Sequence, residues 1–546
     1  MCISIKKVID FRPRLTSDPK LINSIFLLFL PILILSSCNQ ASQEPPTPTP
    51  IGVEQSTLIP NQLEFYVSPG GSDSNPGTID QPWETINHAA QVLQAGQIVY
   101  LREGTYLLTR QIRPKNSGVE NSWIVYTVYP GELAILDASA IPVKAPSGAP
   151  PFDHDQGAFQ VQNVSYIRVI GLAIKNSHNS GFTIRDSHHI ELYNNITDTT
   201  FSPGIGVWDT DHDQKSTHNI KIMGNTITNA NTWDMVIPGF DGSEPPHEAI
   251  SIAGAQNFEV AYNYIYDSDK EGIDVKEVSA HGRVHHNYIK HVDRQGLYAD
   301  SWFGVLEDIE FDHNVVRDCR GAGIVVSVEG GQLAQNIRIH HNLLYDNLGT
   351  GVFFSRWGDG PRKNIKVYNN TIVRNGCGLP NQGDKYYWIT GGLYLFSTNL
   401  EDIDIRNNVL SENCGFQIGY SDLYLKIGSD INAIFQQKKI NIAYNLVYTK
   451  LKVTYPIYAG WPDNYSNIYE YLGENPVTSQ PFFIDQQAGN FDPQEISPIL
   501  NTGDPRSEYQ DPDGTRNDLG AFYLDDPQGL WWLKDFPPQF NIKDIH

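Results

Sequence analysis

From about residue 190 to residue 447 the chain alternates apolar and polar positions in short runs that recur. Nine segments share the form I-x-[IV]-x-x-N-x-[IVL], among them IELYNNIT, IKIMGNTI, FEVAYNYI, IEFDHNVV and IKVYNNTI. Their asparagines are Asn195, Asn225, Asn263, Asn287, Asn314, Asn342, Asn370, Asn408 and Asn445, so the repeat is 24–38 residues long. Between them lies a second kind of run: GFTIRD, GIGVWD, AISIAG, GIDVKE, GLYADS, GIVVSV, GVFFSR and GLYLFS. Strict alternation over four to eight residues is the period of a β-strand with one face buried. One such repeat cannot bury its own apolar face, but stacked repeats make a continuous core in which each strand pairs with its copies above and below. The pattern predicts an all-β solenoid with no helix-forming stretch inside the repeats. The repeated Asn is read as scaffold: buried at a corner, each amide can bond to the amide of the next turn.

These repeats resemble the right-handed parallel β-helix of pectate lyases and their relatives. The opening, FYVSPGGSDSNPGTIDQPWETINHAAQVL (Phe65–Leu93) followed by GQIVYLREGTY, is similar to that of extracellular β-helix proteins including polysaccharide lyase family nine. The resemblance implies a short helix over Thr85–Leu93 that covers the N-terminal end of the stack, where strand edges and core would otherwise be bare. DPDGTRNDLGAF (Asp511–Phe522) is like the closing segment of such folds. Its Asp511, Asp513 and Asp518 are read as turn-capping groups in preference to calcium ligands.

Residues 1–37 carry five basic against two acidic side chains and contain LINSIFLLFLPILIL, a run suited to an export signal. Leu35-Ser36-Ser37-Cys38 resembles the bacterial lipobox, which implies lipidation at Cys38 and an exported lipoprotein at the cell envelope or cell surface. Residues 38–62, rich in Pro, Thr and Gln, read as a disordered tether. The solenoid then divides into a cap and first turns (63–150), a central β-helix (151–450) and C-terminal turns with a closing segment (451–546). Of the remaining cysteines, Cys319, Cys377 and Cys414 are an odd set, read as small buried thiols. With a net charge of −23 the protein repels phosphate backbones, so no nucleic-acid partner is expected. A monomer that touches the membrane only through its lipid is expected.

Aligning the second runs on their glycines places side chains in columns. Ile273 and Val275 point inward, so Asp274 and Lys276 face out. The next turn sets Tyr298 beside Asp274 and Asp300 beside Lys276, about 4.8 Å along the stack. Glu248 and Glu271 precede these strands, and Glu277 and Glu329 lie beyond the other end. The same columns elsewhere hold Trp208, Phe353 and Tyr394. Bordering loops, 229–247 and 376–390, bring Trp233 and Trp388; with Trp302 these aromatics are the candidate sugar platforms.

Carboxylates around an amine on a rigid sheet fit two reactions on an extracellular polysaccharide. In β-elimination at a uronic acid, a base takes the C5 proton while a cation neutralises the carboxylate. Lys276 is the candidate base, and Glu248, Glu271 and Asp274 the candidate ligands for Ca2+. Glu271 and Lys276 look like the metal-binding Glu and Lys base of the family of chondroitinase B and β-helix alginate lyases. That family's Arg from the next turn is replaced here by Asp300, leaving Arg294 as a substitute, and the Asp-Asp-Gly motif of lyase family nine is absent. In glycoside hydrolysis Asp274 and Asp300 would be the carboxyl pair, with Glu248 or Glu271 as alternates, Lys276 holding one carboxylate ionised and Tyr298 orienting it. The resemblance puts a surface polysaccharide lyase first, a glycoside hydrolase second and a noncatalytic glycan-binding or adhesive β-helix third. The histidines His285, His286, His313, His340 and His341 are read as solvated strand positions, out of register with one another, and not as a zinc cluster.

Overall fold

The computed structural model describes residues 64–142, 156–213, 215–233, 235, 245–377, 390–426, 428–450, 469–523, 531–533 and 536–540. The leader, the tether, Cys38 and Trp388 lie outside them. Strands of 2–8 residues stack in three long sheets of 13, 12 and 11 strands, parallel apart from an antiparallel pairing at the end of the third. The order in each sheet follows the chain by every third strand, as expected of a β-helix. Inward-facing Ile, Val and Leu of all three sheets form one continuous core, in which Ile252, Ile273, Val275, Leu297, Val326 and Ile365 are fully buried.

The asparagine column is a ladder. Asn287, for example, bonds through its backbone N–H and its side-chain Nδ2 to Asn314 Oδ1, at 3.1 and 3.0 Å, and Asn314 does the same to Asn342. The relation holds from Asn195 through Asn445. Each buried amide is thus satisfied at a corner where no sheet bond reaches it. A second ladder, Asn347–Asn375–Asn413, closes on Gln417.

The helix Ile86–Val92 forms at the N-terminal end, its N-cap Thr85 accepting from the His88 amide at 3.1 Å. A helix the alternation did not predict, Ile431–Lys438, is capped by Asp430 and ends at left-handed Lys439. Its one buried residue, Phe435, packs edge-on to Tyr420 near the other end of the stack. The closing segment is held by turn capping: Asp513 accepts from the Thr515 amide, Asp511 from the Asp518 amide and Asp518 from the Asn501 amide. Gly520 bonds to the Asn407 carbonyl, and farther on Trp531 packs on His286 and the Phe540 carbonyl accepts from Asn194. The C-terminal segment therefore lies along the outside of the ladder corner.

Cys377 and Cys414 form a disulfide, correcting the expectation of free thiols. Each follows a second-ladder asparagine on successive turns, so one rung separates them. Cys319 stays free and buried.

The histidines are stacked in two adjacent columns, which corrects the reading of them as unregistered and solvated. His286, His313 and His341 lie parallel within 3–6° at 4.9–5.0 Å, each with a left-handed backbone. His285, Asp312 and His340 form the neighbouring column. Ligand atoms of His286, Asp312 and His313 lie within 4.8 Å of one another, as do those of Glu310, Asp312 and His340, a spacing that would admit a metal ion. Asp312 is gripped by the Arg283 guanidinium at 2.8 and 2.6 Å. The stacked rings pack this corner of the solenoid, and Arg283 holds Asp312 within the protein.

Candidate functional site

The third sheet carries the predicted register. Ser251 pairs with Asp274 and Asp274 with Tyr298, while Ala253 pairs with Lys276 and Lys276 with Asp300, on strands Ile250–Ala253, Ile273–Lys276 and Leu297–Ser301. Above these strands opens a cleft of about 450 Å³, lined by Glu248, Glu271, Asp274, Lys276, Glu277, Arg294, Tyr298, Asp300 and Glu329, with Gln295 and the aromatics Trp302, Phe303 and Trp357. Side chains 81 residues apart in sequence, Glu248 and Glu329, are thus gathered on one flank, because the strand pairings hold every turn in register.

Lys276 is at the centre. Its ammonium lies 2.5 Å from Glu248 Oε2 and 3.3 Å from Asp274 Oδ2. Ser251 Oγ also donates to Glu248 Oε2, at 2.5 Å. Arg294 pairs with Glu271 Oε1 at 3.4 Å, and the Tyr298 hydroxyl donates to Glu329 Oε1. Four carboxylate oxygens, Glu271 Oε2, Asp274 Oδ1, Glu277 Oε2 and Asp300 Oδ1, are buried without a hydrogen-bond partner among the described residues.

Burial and charge divide the acids. Burial would raise the Glu248 carboxyl, but the Lys276 ammonium, helped by His247 and Lys270, holds it at about 2. Burial pushes Asp274 and Asp300 well above the usual carboxylate range. The charges of Glu248, Asp300 and Glu271 add to it at Asp274, and those of Glu329, Glu248 and Glu277 at Asp300. Burial likewise raises Glu277 to about 7, and raises Glu329 and the Tyr298 phenol. At Lys276 burial acts to lower the pKa, yet Glu248 and Asp274 outweigh it and raise the pKa. The site therefore holds an ammonium and a carboxylate that stabilise each other, beside several carboxyls raised above their ordinary range.

Among the described residues expected as aromatic platforms, only Trp302 lines the cleft with a substantially exposed ring, 46% accessible, beside Phe303 at the same exposure. Phe353 and Tyr394 are not available as platforms: they are buried with Tyr298, Val325, Phe396 and Phe416 in an outer aromatic cluster against which Trp357 packs. Trp208 is buried under the His247 ring, 4.4 Å away. Trp233 is half-buried, its amide bonded to Asp269, and is outside the cleft lining. Sequence reasoning gave no role to Phe303, Trp357 or Gln295. For Phe303 the signal was available in the residues following the strand Leu297–Ser301 and for Trp357 in its WG dipeptide, whereas Gln295 carried none.

A stack of register-locked turns with a carboxyl-rich cleft on one sheet defines a class, and sequence comparison agrees. The sequence model of right-handed β-helix regions matches residues 157–336 and 307–431, and that of Pel9A-like right-handed β-helix regions matches residues 65–244. The chain belongs to the right-handed β-helix family. It is similar to pectate lyase PEL9 of Emericella nidulans, 28% identical over 225 residues, or 36% of this chain and 54% of that protein. It is also similar to the uncharacterized protein YwoF of Bacillus subtilis, 38% identical over 77 residues, 14% of this chain and 16% of that protein. The chain spans about half or less of the length of these relatives. Of solved structures, pectate lyase Pel9A superposes with a TM-score of 0.43 at 16% identity, covering 85% of this chain and 97% of that one. The protein is a β-helix relative of polysaccharide lyases.

Proposed function

We propose that this protein is an extracellular carbohydrate-active enzyme, carried at the cell surface by a lipid on Cys38, that cleaves a polysaccharide in the cleft by glycoside hydrolysis. The observation that carries this reading is the state of Lys276. An ammonium held by Glu248 at 2.5 Å, with its pKa raised, is a poor proton acceptor. The carboxyls around it are suited to acid–base work, since one environment favours the ionised form of Glu248 while another favours the protonated form of Asp274 and Asp300. In this reading Asp274 or Asp300 gives its proton to the glycosidic oxygen, and a carboxylate on the other side of the scissile bond activates water or attacks the anomeric carbon. Lys276 keeps Glu248 ionised, and the Tyr298–Glu329 pair fixes the wall.

The orphaned oxygens and the pectate lyase relative favour a second reading, β-elimination. Glu271, Asp274 and Asp300 present hard oxygen donors without partners and fit Ca2+, which when bound would neutralise a uronate carboxylate. Lys276 would then have to leave Glu248 to accept the C5 proton. Incubating the purified protein with a glycan panel decides between them. New reducing ends without an ultraviolet-absorbing unsaturated product support hydrolysis, whereas an absorbing product that chelator abolishes establishes elimination. Binding without either product establishes a lectin-like protein.

A further inference from the structure

We infer that the cleft recognises a polysaccharide bearing free amino groups, a polymer of amino sugars, in preference to a polyuronate. The inference rests on the reading of the cleft as a glycan site and concerns which glycan it takes. Six carboxyl groups face two cations in the described lining, and both cations are already engaged: Lys276 by Glu248 and Asp274, Arg294 by Glu271. An incoming carboxylate would meet no cation that is not already held by an acid, and would add repulsion in a site of low dielectric.

The orphaned oxygens point the same way. Asp274, Glu271 and Asp300 are 2%, 4% and 6% exposed, yet each has a carboxylate oxygen without a donor among the described residues, as does Glu277 beside them. Buried acceptors without donors are costly, so a cleft that keeps four of them is complementary to a ligand rich in donors. Sugar hydroxyls supply donors, but only a cation would also favour ionisation of the carboxyls that crowding in the cleft biases toward the neutral form. An ammonium supplies three N–H groups and the charge together. Trp302 and Phe303 at the mouth add ring faces on which a pyranose can stack and near which a cation is favoured.

Titration calorimetry of the full chain with a glucosamine hexamer, its fully N-acetylated counterpart and a galacturonate hexamer tests this, each with chelator and again with added Ca2+. The glucosamine hexamer is expected to bind at least about tenfold more tightly than the N-acetylated one, a preference that falls with salt. It should shrink in Asp274→Asn and Glu271→Gln, whose folding is checked by circular dichroism. Equal or tighter binding of the N-acetylated hexamer, tighter binding of galacturonate once Ca2+ is present, or no binding of any of the three overturns the inference. Because binding is read without turnover, amine-selective binding by a protein that releases no reducing ends would uphold the inference while refuting hydrolysis.

Discussion

Replacing Glu277 with Gln should make the protein's stability less dependent on pH. Glu277 follows the strand Ile273–Lys276 in a left-handed conformation, φ +64°, with its amide on the Asp300 carbonyl at 3.0 Å. Its side chain accepts from the Phe303 amide, and Lys276, Glu248 and Asp300 are the charged groups around it. Burial raises its carboxyl from 4.5 to about 7, so the native protein keeps a proton that the unfolded chain releases above about pH 4.5. Between those two values the unfolded state binds fewer protons than the native one, and stability falls as pH rises. Over about 2.5 pH units the loss is about 3 kcal/mol, complete above about pH 7 and absent below about pH 4.5. Gln preserves the acceptor for Phe303 and cannot ionise. Denaturant unfolding of both proteins at about pH 4.5 and about pH 7.5 should therefore show Glu277→Gln gaining about 3 kcal/mol on the wild type between the two conditions. A gap that is the same at both pH values within about 0.5 kcal/mol refutes the assignment of a retained proton to Glu277.

Two further outcomes follow from the described contacts. Asn314→Ala strips partners from the Asn287 amide and side chain and from the Val284 carbonyl, all buried, and should cost about 3 kcal/mol or more in urea unfolding; less than about 1 kcal/mol would mean that the ladder is not a principal source of stability. Lys276→Met leaves Glu248 buried and unpaired, so it should destabilise by about 3–5 kcal/mol and raise the Glu248 pKa. It should weaken reducing-end release without abolishing it, and complete loss of activity in a folded variant would return Lys276 to the role of base.

The repeat, the ladder and the pairing of Asp274 with Tyr298 were legible because period and spacing carry them: a register is a relation between sequence positions. Alternation shows which side of a sheet a residue occupies, but not what lies over that side. Phe353 and Tyr394 share outward columns with Asp274, yet Phe416 and Trp357 cover them. The histidines were misread because the column holding His286, His313 and His341 sits where the backbone turns left-handed, outside strand alternation. Asn347, Asn375 and Asn413 repeat at the same 28- and 38-residue intervals as Asn342, Asn370 and Asn408, a match that could have revealed the second ladder and the proximity of Cys377 and Cys414. Glu277 carries no motif; its perturbed proton comes from packing alone.

The ladder also has a direction. From Asn195 to Asn408 each asparagine gives its backbone N–H and a side-chain hydrogen to the turn that follows, besides a side-chain hydrogen to a carbonyl of the turn before, so a newly folded turn remains unfinished until its C-terminal successor docks, as Asn195 waits for Asn225 and Asn225 for Asn263. Growth by accretion at one tip then exposes a single incomplete rung at a time and closes only short stretches of chain at each step. A lesion in a middle rung would on this account stall everything downstream of it while leaving the earlier turns assembled.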